Sequence, residues 1–285
     1  MNNTLPAVET VPASDGTPLA IRRWSVDAPR GQVAIVHGLG EHAGRYTHVV
    51  ALLLAMGWQV CTYDLRGHGR SGGPRGGIRG PDDHLSDLAT VLRLLEATTV
   101  GGSRRATPLV LLGHSMGGLV AAQFVARALR PVDGLVLSSP ALDAGLSRFQ
   151  RLQVAVGHAL APGLAQPNRL DVERISHDPQ VVRAYRDDPL VHDRVTARTA
   201  RAIIRGGAEV LASAPAWRVP TLLLWAGADA LVSPAGSARF AATAPAAIVR
   251  ARCFDGLYHE ILNERDAEPV FAELLAWLEA RAAGA

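Results

Sequence analysis

The chain has 285 residues, of which 48% are hydrophobic and 19% are charged, and its mean hydropathy is +0.12. This composition excludes a disordered chain and is sufficient for one large α/β domain with an insertion. All 29 basic residues are arginine, which excludes lysine Schiff-base chemistry and a P-loop. The net charge of +3 and the scattered arginines also exclude a nucleic-acid-binding surface.

Predicted strands and helices alternate along most of the chain. Short apolar runs predict strands, and longer runs with apolar residues three and four positions apart predict helices. In chain order, the predicted strands are residues 19–26, 32–36, 59–63, 108–112, 134–138, 221–226 and 248–253, and the predicted helices are residues 46–56, 84–97, 116–128, 234–244 and 269–282. This rhythm predicts a mostly parallel sheet with helices on both faces.

The alternation stops between Pro140 and Pro220, where amphipathic, arginine-rich helical stretches are interrupted by prolines. Strands and helices resume afterwards, so this segment is an excursion from the sheet and not a terminal domain. We therefore predict a core domain formed by residues 1–140 and 216–285, and a helical cap, or lid, formed by residues 141–215.

We expect neither an export signal nor a membrane-spanning segment. Residues 1–16 lack a cationic segment followed by an apolar one, and no apolar run approaches the ~18 residues that span a bilayer. We expect the cytoplasm as the default compartment. Cys61 and Cys253 both lie in apolar, strand-type runs, so we expect two buried side chains and neither a disulfide nor a metal site.

A candidate nucleophile follows the predicted strand 108–112. Residues 113–118 read Gly-His-Ser-Met-Gly-Gly and lead directly into a helical pattern. This is the G-x-S-x-G sequence in the strand, turn, helix context that a nucleophile elbow requires. We predict that Ser115 is the nucleophile, with a tight structural turn as the alternative. His114, beside it, is interpreted as a packing residue.

A serine nucleophile needs a base, and the base needs an acid that orients it. In a fold with this elbow the chain order is serine, then acid, then histidine. Of the ten histidines, only His259 follows the predicted strand 221–226, and it is therefore the predicted base. Asp229, in the turn after that strand, is the predicted acid, with Asp143 and Asp255 as alternatives.

Two backbone amides are predicted to stabilise the oxyanion. One belongs to Met116, which follows the nucleophile, and the other to Leu39, in the glycine-bearing turn after strand 32–36. His37 and His42 flank this turn, but no cysteine or carboxylate cluster completes a metal site with them. We expect neither a metal nor a cofactor.

Several motifs in a fixed order carry a family resemblance. They are HGLGEHAGRY at 37–46, DLRGHGRSG at 64–72, GHSMGG at 113–118, DPLV at 188–191 and TLLLWAGAD at 221–229. Together they resemble the monoacylglycerol lipase and lysophospholipase branch of the α/β-hydrolases, over roughly residues 20–280. The resemblance implies an eight-stranded, mostly parallel sheet with a helical lid over the serine.

The resemblance also implies residues near the alcohol end of the substrate. In that branch an acidic residue after the oxyanion turn and a tyrosine of the cap lie near the glycerol, and Glu41 and Tyr185 occupy the matching positions. The alternatives are a structural carboxylate and cap packing, respectively. Leu262 stands where some members carry a second histidine, which weakens an inference of glycerol recognition.

The predicted function is hydrolysis of carboxylic esters with an apolar acyl chain, most similar to that of a monoacylglycerol lipase. The alternatives are a lysophospholipase or generic carboxylesterase and, further off, an acyltransferase, an aminopeptidase or a non-catalytic binding protein. The expected partner is a small lipid ester. Apolar residues of the cap recur at helical spacing and form either helix core or an exposed face that contacts lipid surfaces, aided by Arg148 and Arg151. They are Leu142, Leu146, Phe149, Leu152, Val156 and Leu160.

Overall fold

The structure is a computed structural model that describes residue 6 and residues 8–97 and 107–283. Eight of its strands form one sheet. They are β1 (Glu9–Pro12), β2 (Pro18–Trp24), β3 (Gly31–Val36), β4 (Trp58–Tyr63), β5 (Leu109–His114), β6 (Gly134–Ser138), β9 (Thr221–Ala226) and β10 (Val249–Phe254). The strand order is β1-β2-β4-β3-β5-β6-β9-β10, in which β1 and β2 are antiparallel to their neighbours and the others are parallel.

Helices cover both faces of this sheet. They are α1 (Thr47–Ala55), α2 (Asp83–Ala97), α3 (Ser115–Ala126), α7 (Pro234–Thr243) and α8 (Glu268–Ala283). Side chains of α2, α3 and α7 belong to one buried apolar cluster and those of α1 and α8 to a second. Successive residues of a strand point to opposite faces, so Leu111 of β5 enters the first cluster and Leu112 the second. The predicted fold class is confirmed.

The edge strand β1 was not predicted. Its sequence, Glu-Thr-Val-Pro, is too short for a run of alternating apolar residues and ends in proline, and three of its four residues are exposed. It is held by antiparallel pairing with β2, in the register Glu9 to Ile21. The other seven strands and the five helices were predicted to within two residues at each end.

The predicted cap segment, residues 141–215, contains the helices α4 (Arg148–Leu160), α5 (Pro179–Asp187) and α6 (Ala197–Ser213). It also contains an unpredicted antiparallel ribbon of β7 (Ala165–Pro167) and β8 (Arg194–Thr196). Helix α6 packs closely on α3 at Gly206. The absence of a side chain there permits this approach, since a Cβ at Gly206 would lie only 2.5 Å from Gln123 Oε1. The division into core and cap remains a proposal.

Helix α4, in the predicted cap segment, has no buried residue. The predicted apolar stripe is therefore part core and part exposed face. Leu142 is buried, whereas four apolar side chains of α4 are exposed. Their exposed fractions are 67% for Phe149, 59% for Leu152, 48% for Val156 and 81% for Leu160. No helix in the described part of the chain is long and apolar enough to cross a membrane.

The two cysteines differ in burial. Cys61 is buried on β4, inside the sheet, as predicted, but Cys253 is only half-buried. The reason is the position of β10 at the edge of the sheet, where one side of the strand lacks a neighbour. The expectation that both are buried was wrong for Cys253.

Candidate active site

Ser115 stands at the junction of β5 and α3 with a backbone φ of +53°. A non-glycine residue in this region is strained unless its surroundings hold it there. Gly113 and Gly117 allow the necessary approach of strand and helix. A Cβ at Gly117 would lie 2.2 Å from the carbonyl oxygen of Val36, and one at Gly113 would lie 2.6 Å from the carbonyl oxygen of Gly117.

The structure pairs His259 with Asp229. The distance between His259 Nδ1 and Asp229 Oδ2 is 2.6 Å, and the side chains are 5% and 2% exposed. Asp229 Oδ1 accepts hydrogen bonds from the amides of Leu231 and Val232, at 2.8 and 3.1 Å. The carboxylate is therefore fixed, and it can hold the proton of the imidazole on Nδ1, which leaves Nε2 to act as a base.

This pairing follows from the topology. Strands β9 and β10 are adjacent and parallel, in the register Ala226 to Phe254. The loops at their carboxyl ends therefore lie side by side, and these loops carry Asp229 and His259. Residues that are 30 positions apart along the chain are brought into contact in this way.

The two alternative acids lie in other surroundings. Asp143 accepts hydrogen bonds from Arg239 at 2.6 Å and from Arg151 at 3.4 Å, and it also accepts one from the amide of Gly145. Asp255 is exposed. The contact with the imidazole thus belongs to Asp229.

Ser115 is half-buried, and its Oγ makes no hydrogen bond to His259, both residues lying in the described part of the chain. Catalytic hydrogen bonds are often long or poorly aligned in unliganded enzymes and tighten in the complex with substrate. The two residues are connected through His114, which precedes Ser115 and whose ring centroid lies 4.8 Å from that of His259.

His114 is a buried residue that packs against the proposed base, His259. Its Nδ1 lies 3.1 Å from Ser138 Oγ. Burial, and after it the neighbouring His259, lower the pKa of His114 to about 4. Because His114 stays neutral at neutral pH, it does not repel the imidazolium that forms on His259. Its position next to the elbow was the sequence signal for this role.

The turn after β3 lies against the nucleophile, because a Cβ at Gly38 would be 3.1 Å from Ser115 Cβ. The amide of Gly38 donates to Glu41 Oε1 at 2.6 Å, which leaves the next amide, of Leu39, as the candidate oxyanion donor. Met116 lies in the first turn of α3, where backbone N–H groups have no partner within the helix. These amides remain the proposed oxyanion donors.

Glu41 and Tyr185 are both buried at this turn, with 3% and 8% exposure. Glu41 accepts hydrogen bonds from Gly38, Tyr46 Oη and Arg45 Nη1, at 2.6, 2.7 and 2.8 Å. Burial opposes its ionisation, but the Arg45 guanidinium prevails and lowers the pKa of Glu41 below its usual range. These contacts favour the structural alternative for Glu41, while a substrate contact of either residue stays a prediction.

The histidines of the turn are occupied by hydrogen bonds. His37 Nδ1 donates to the carbonyl of Gly38 at 2.8 Å, and its Nε2 accepts from the amide of Leu65 at 2.9 Å. His42 Nε2 lies 2.8 Å from Asp188 Oδ2, so it joins the turn to the predicted cap segment. Among the described residues, no group of three or more metal-binding side chains is placed to hold an ion.

A strained serine at a strand-to-helix turn, a histidine paired with a buried aspartate, and a glycine-bearing turn packed against the serine define a serine hydrolase of the α/β-hydrolase class. Comparison with known families agrees, because residues 27–266 match the family described as serine aminopeptidase, S33. The chain belongs to this family.

Individual relatives are ester hydrolases. The chain is 36% identical to a monoacylglycerol lipase of Mycolicibacterium smegmatis, over 90% of each chain. It is 29% identical to the phospholipase YtpA of Bacillus subtilis, over 90% of this chain and 98% of the relative. The crystal structure of a Paleococcus ferrophilus monoacylglycerol lipase superposes with a TM-score of 0.83 at 30% identity, and covers 92% of this chain and 99% of that one. The predicted class, a lipase-like carboxylic ester hydrolase, is confirmed.

Proposed function

We propose that the chain cleaves monoacylglycerol-like esters through an acyl-enzyme formed on Ser115. The observation that carries the proposal is the 2.6 Å contact of His259 Nδ1 with the buried carboxylate of Asp229. This contact would hold His259 in the tautomer that leaves Nε2 free to act as a base for Ser115. The names of the relatives support the ester class, and the monoacylglycerol substrate rests on two of them.

The reaction has two halves. Ser115 Oγ attacks the ester carbonyl while His259 Nε2 takes its proton, and the amides of Leu39 and Met116 bind the developing oxyanion. The tetrahedral intermediate collapses to the acyl-enzyme, and His259 gives the proton to the departing alcohol. Water then attacks the acyl-enzyme while His259 Nε2 takes its proton, and the fatty acid leaves as this proton passes to Ser115 Oγ.

A substrate panel tests the proposal. We would compare monoacylglycerol, lysophosphatidylcholine and p-nitrophenyl esters from about C2 to about C16, with Ser115→Ala as the blank. We expect the highest kcat/KM on the monoacylglycerol and no turnover by the blank. A preference for lysophosphatidylcholine would identify a lysophospholipase, for which the relation to a phospholipase is the supporting observation. A short-chain optimum without lipid turnover would leave a generic carboxylesterase.

The cap supports a further part of the proposal, which is seating on lipid aggregates. Helix α4 exposes Phe149, Leu152, Val156 and Leu160, and monomeric proteins rarely present such a face without a partner. Arg148 and Arg151 are exposed on the same helix and suit anionic headgroups. A substrate with an apolar chain resides in such aggregates, so this face would bring the enzyme to it.

A further inference from the structure

Three charged side chains form a buried bridge beside the proposed catalytic residues. Arg45 Nη1 donates to Glu41 Oε2 at 2.8 Å, and Arg45 Nη1 and Nη2 donate to the two carboxylate oxygens of Glu260 at 2.5 and 2.7 Å. The exposed fractions of these side chains are 11% for Arg45, 4% for Glu41 and 5% for Glu260. We call these three residues the Arg45 bridge.

Each end of the Arg45 bridge holds a different part of the site. At one end, Glu41 Oε1 accepts from the amide of Gly38, next to the proposed donor Leu39. At the other end, Glu260 directly follows His259, and its Oε2 also accepts from Asn263 Nδ2 at 2.9 Å. One guanidinium therefore connects the oxyanion turn with the loop of the base, across 215 positions of the chain.

The chemistry of the bridge favours a role in geometry. Two carboxylates and one cation are costly to bury, and a buried ion pair is weak evidence for a contribution to stability alone. A planar guanidinium that donates two parallel hydrogen bonds fixes its partner in distance and in angle. The ring of Tyr185, from the cap, covers the guanidinium at 4.7 Å and restricts it further.

We propose that Arg45 is a positioning residue that sets the distance between the oxyanion amides and His259. This inference rests on the proposed function of those residues. Arg45 acts through Glu41 and Glu260 and need not touch the substrate. Misplacement of reacting groups by about 1 Å costs about 10²-fold in rate, so the loss of the bridge should lower kcat and leave KM almost unchanged.

The first experiment compares two buried arginines. Arg45→Lys keeps the charge but loses the paired hydrogen bonds to Glu260, and we expect kcat to fall about tenfold, with KM within about threefold. Arg66→Lys is the matched control, because Arg66 is 4% exposed and donates to both oxygens of Asp87 at 2.6 Å. We expect the control to lower Tm and to leave kcat unchanged. Equal kcat in Arg45→Lys and the wild type would overturn the inference.

The second experiment asks whether the two carboxylates act through one guanidinium. We would measure kcat for Glu41→Gln, Glu260→Gln and the double variant. Coupled residues show non-additive effects, so the double variant should lose clearly less than the product of the two single losses. Losses that multiply would show that the two ends act independently, and would overturn the bridge. The Tm of each variant is measured alongside kcat, because the double variant leaves the Arg45 guanidinium buried without a carboxylate partner. A lower kcat in a variant that is still folded at the assay temperature then reports on the bridge and not on unfolding.

A fluorophosphonate probe distinguishes failure of this inference from failure of the proposed function. We expect the wild type to be labelled, Ser115→Ala to be unlabelled and Arg45→Lys to be labelled about tenfold more slowly. Equal labelling rates in the wild type and in Arg45→Lys would overturn the inference alone. An unlabelled wild type would overturn the proposed nucleophile and the inference together.

Discussion

At the scale of single residues, the site depends on glycines such as Gly113 and Gly117, where a side chain would collide with the backbone of a neighbouring element. Ser115 keeps a φ of +53° because Gly117 lets α3 approach the end of β3. Backbone strain of this kind costs about 1–3 kcal/mol and persists only where the surroundings determine it. The elbow is therefore sensitive to substitutions that do not change its chemical groups.

Gly117→Ala should abolish most of the catalytic activity. Its Cβ would lie 2.2 and 2.3 Å from the carbonyl oxygens of Val36 and His37, so Ser115 must shift. We expect kcat to fall by about 10²-fold or more, measured together with titration of active serines. Gly163→Ala is the control, because a Cβ there meets nothing within 4 Å. Normal activity in Gly117→Ala would contradict our account of the elbow.

Asp229→Asn should lower kcat by about 10⁴-fold, because the amide no longer selects the imidazole tautomer that leaves Nε2 free. Asp143→Asn is the matched control, since this carboxylate pairs with arginines and not with His259. Steady-state kinetics on one p-nitrophenyl ester measure both variants. If Asp143→Asn were the inactive one, the acid of the triad would be misassigned.

At the scale of elements, the loop that carries His259 is joined by hydrogen bonds to residues 176 and 177 of the predicted cap segment. Glu264 accepts from the amides of Tyr258 and His177, at 2.7 and 2.9 Å, and from Ser176 Oγ at 3.1 Å. His177 Nδ1 also lies 2.7 Å from Glu264 Oε1. A displacement of this part of the predicted cap segment would therefore move the loop that carries His259 with it.

Glu264→Gln should lower Tm in a way that depends on pH. Burial raises the pKa of Glu264, but the amides of Tyr258 and His177 prevail and lower it below its ordinary value of 4.5. A depressed pKa in the folded state contributes stability above the unfolded value, which is lost as pH falls through the folded value. We expect a clear difference in Tm at pH 7 that shrinks below about pH 4.5. A difference that stays constant over this range would contradict the assigned role of the charge.

The exposed face of α4 makes a prediction about lipid. The double substitution Phe149→Ser and Leu152→Ser should weaken binding to vesicles of phosphatidylcholine and phosphatidylglycerol by about tenfold, because two large apolar side chains are lost. Turnover of a short, soluble ester should not change. Leu129→Ser is the control, since Leu129 is 44% exposed outside the predicted cap. Flotation assays measure the bound fraction, and a wild type that stays in the aqueous fraction would disprove this docking.

At the scale of the whole molecule, the central strand β5 joins the two apolar clusters. Leu111 and Leu112 are both fully buried and point into opposite clusters. We expect Leu111→Ala and Leu112→Ala each to lower the free energy of unfolding by about 2–5 kcal/mol. Calorimetry should show one unfolding peak for both variants, displaced to lower temperature. Two separate peaks would mean that the faces of the sheet unfold independently.

The sequence predicted the parts of the fold that are regular and buried. Strands such as β5 are short apolar runs, and their alternation with amphipathic helices indicates a parallel sheet. The sequence did not predict β1 or the β7–β8 ribbon. These strands are short and mostly exposed, so pairing with a neighbouring strand stabilises them and they carry no apolar pattern that could be recognised. The elbow has a local motif, whereas the contact of Arg45 with Glu260 joins residues 215 positions apart and leaves no local signal.

The absence of buried residues in α4 also bears on how the enzyme responds to the physical state of its substrate. If α4 docks on lipid as we propose, only single molecules of the ester would contact this helix below the critical micelle concentration, whereas a whole micelle would bind to it above that concentration. The rate on a long-chain ester would then rise abruptly at the onset of micelles, and not in proportion to the total amount of ester. A smooth hyperbola through that concentration would show that the helix takes no part in adsorption.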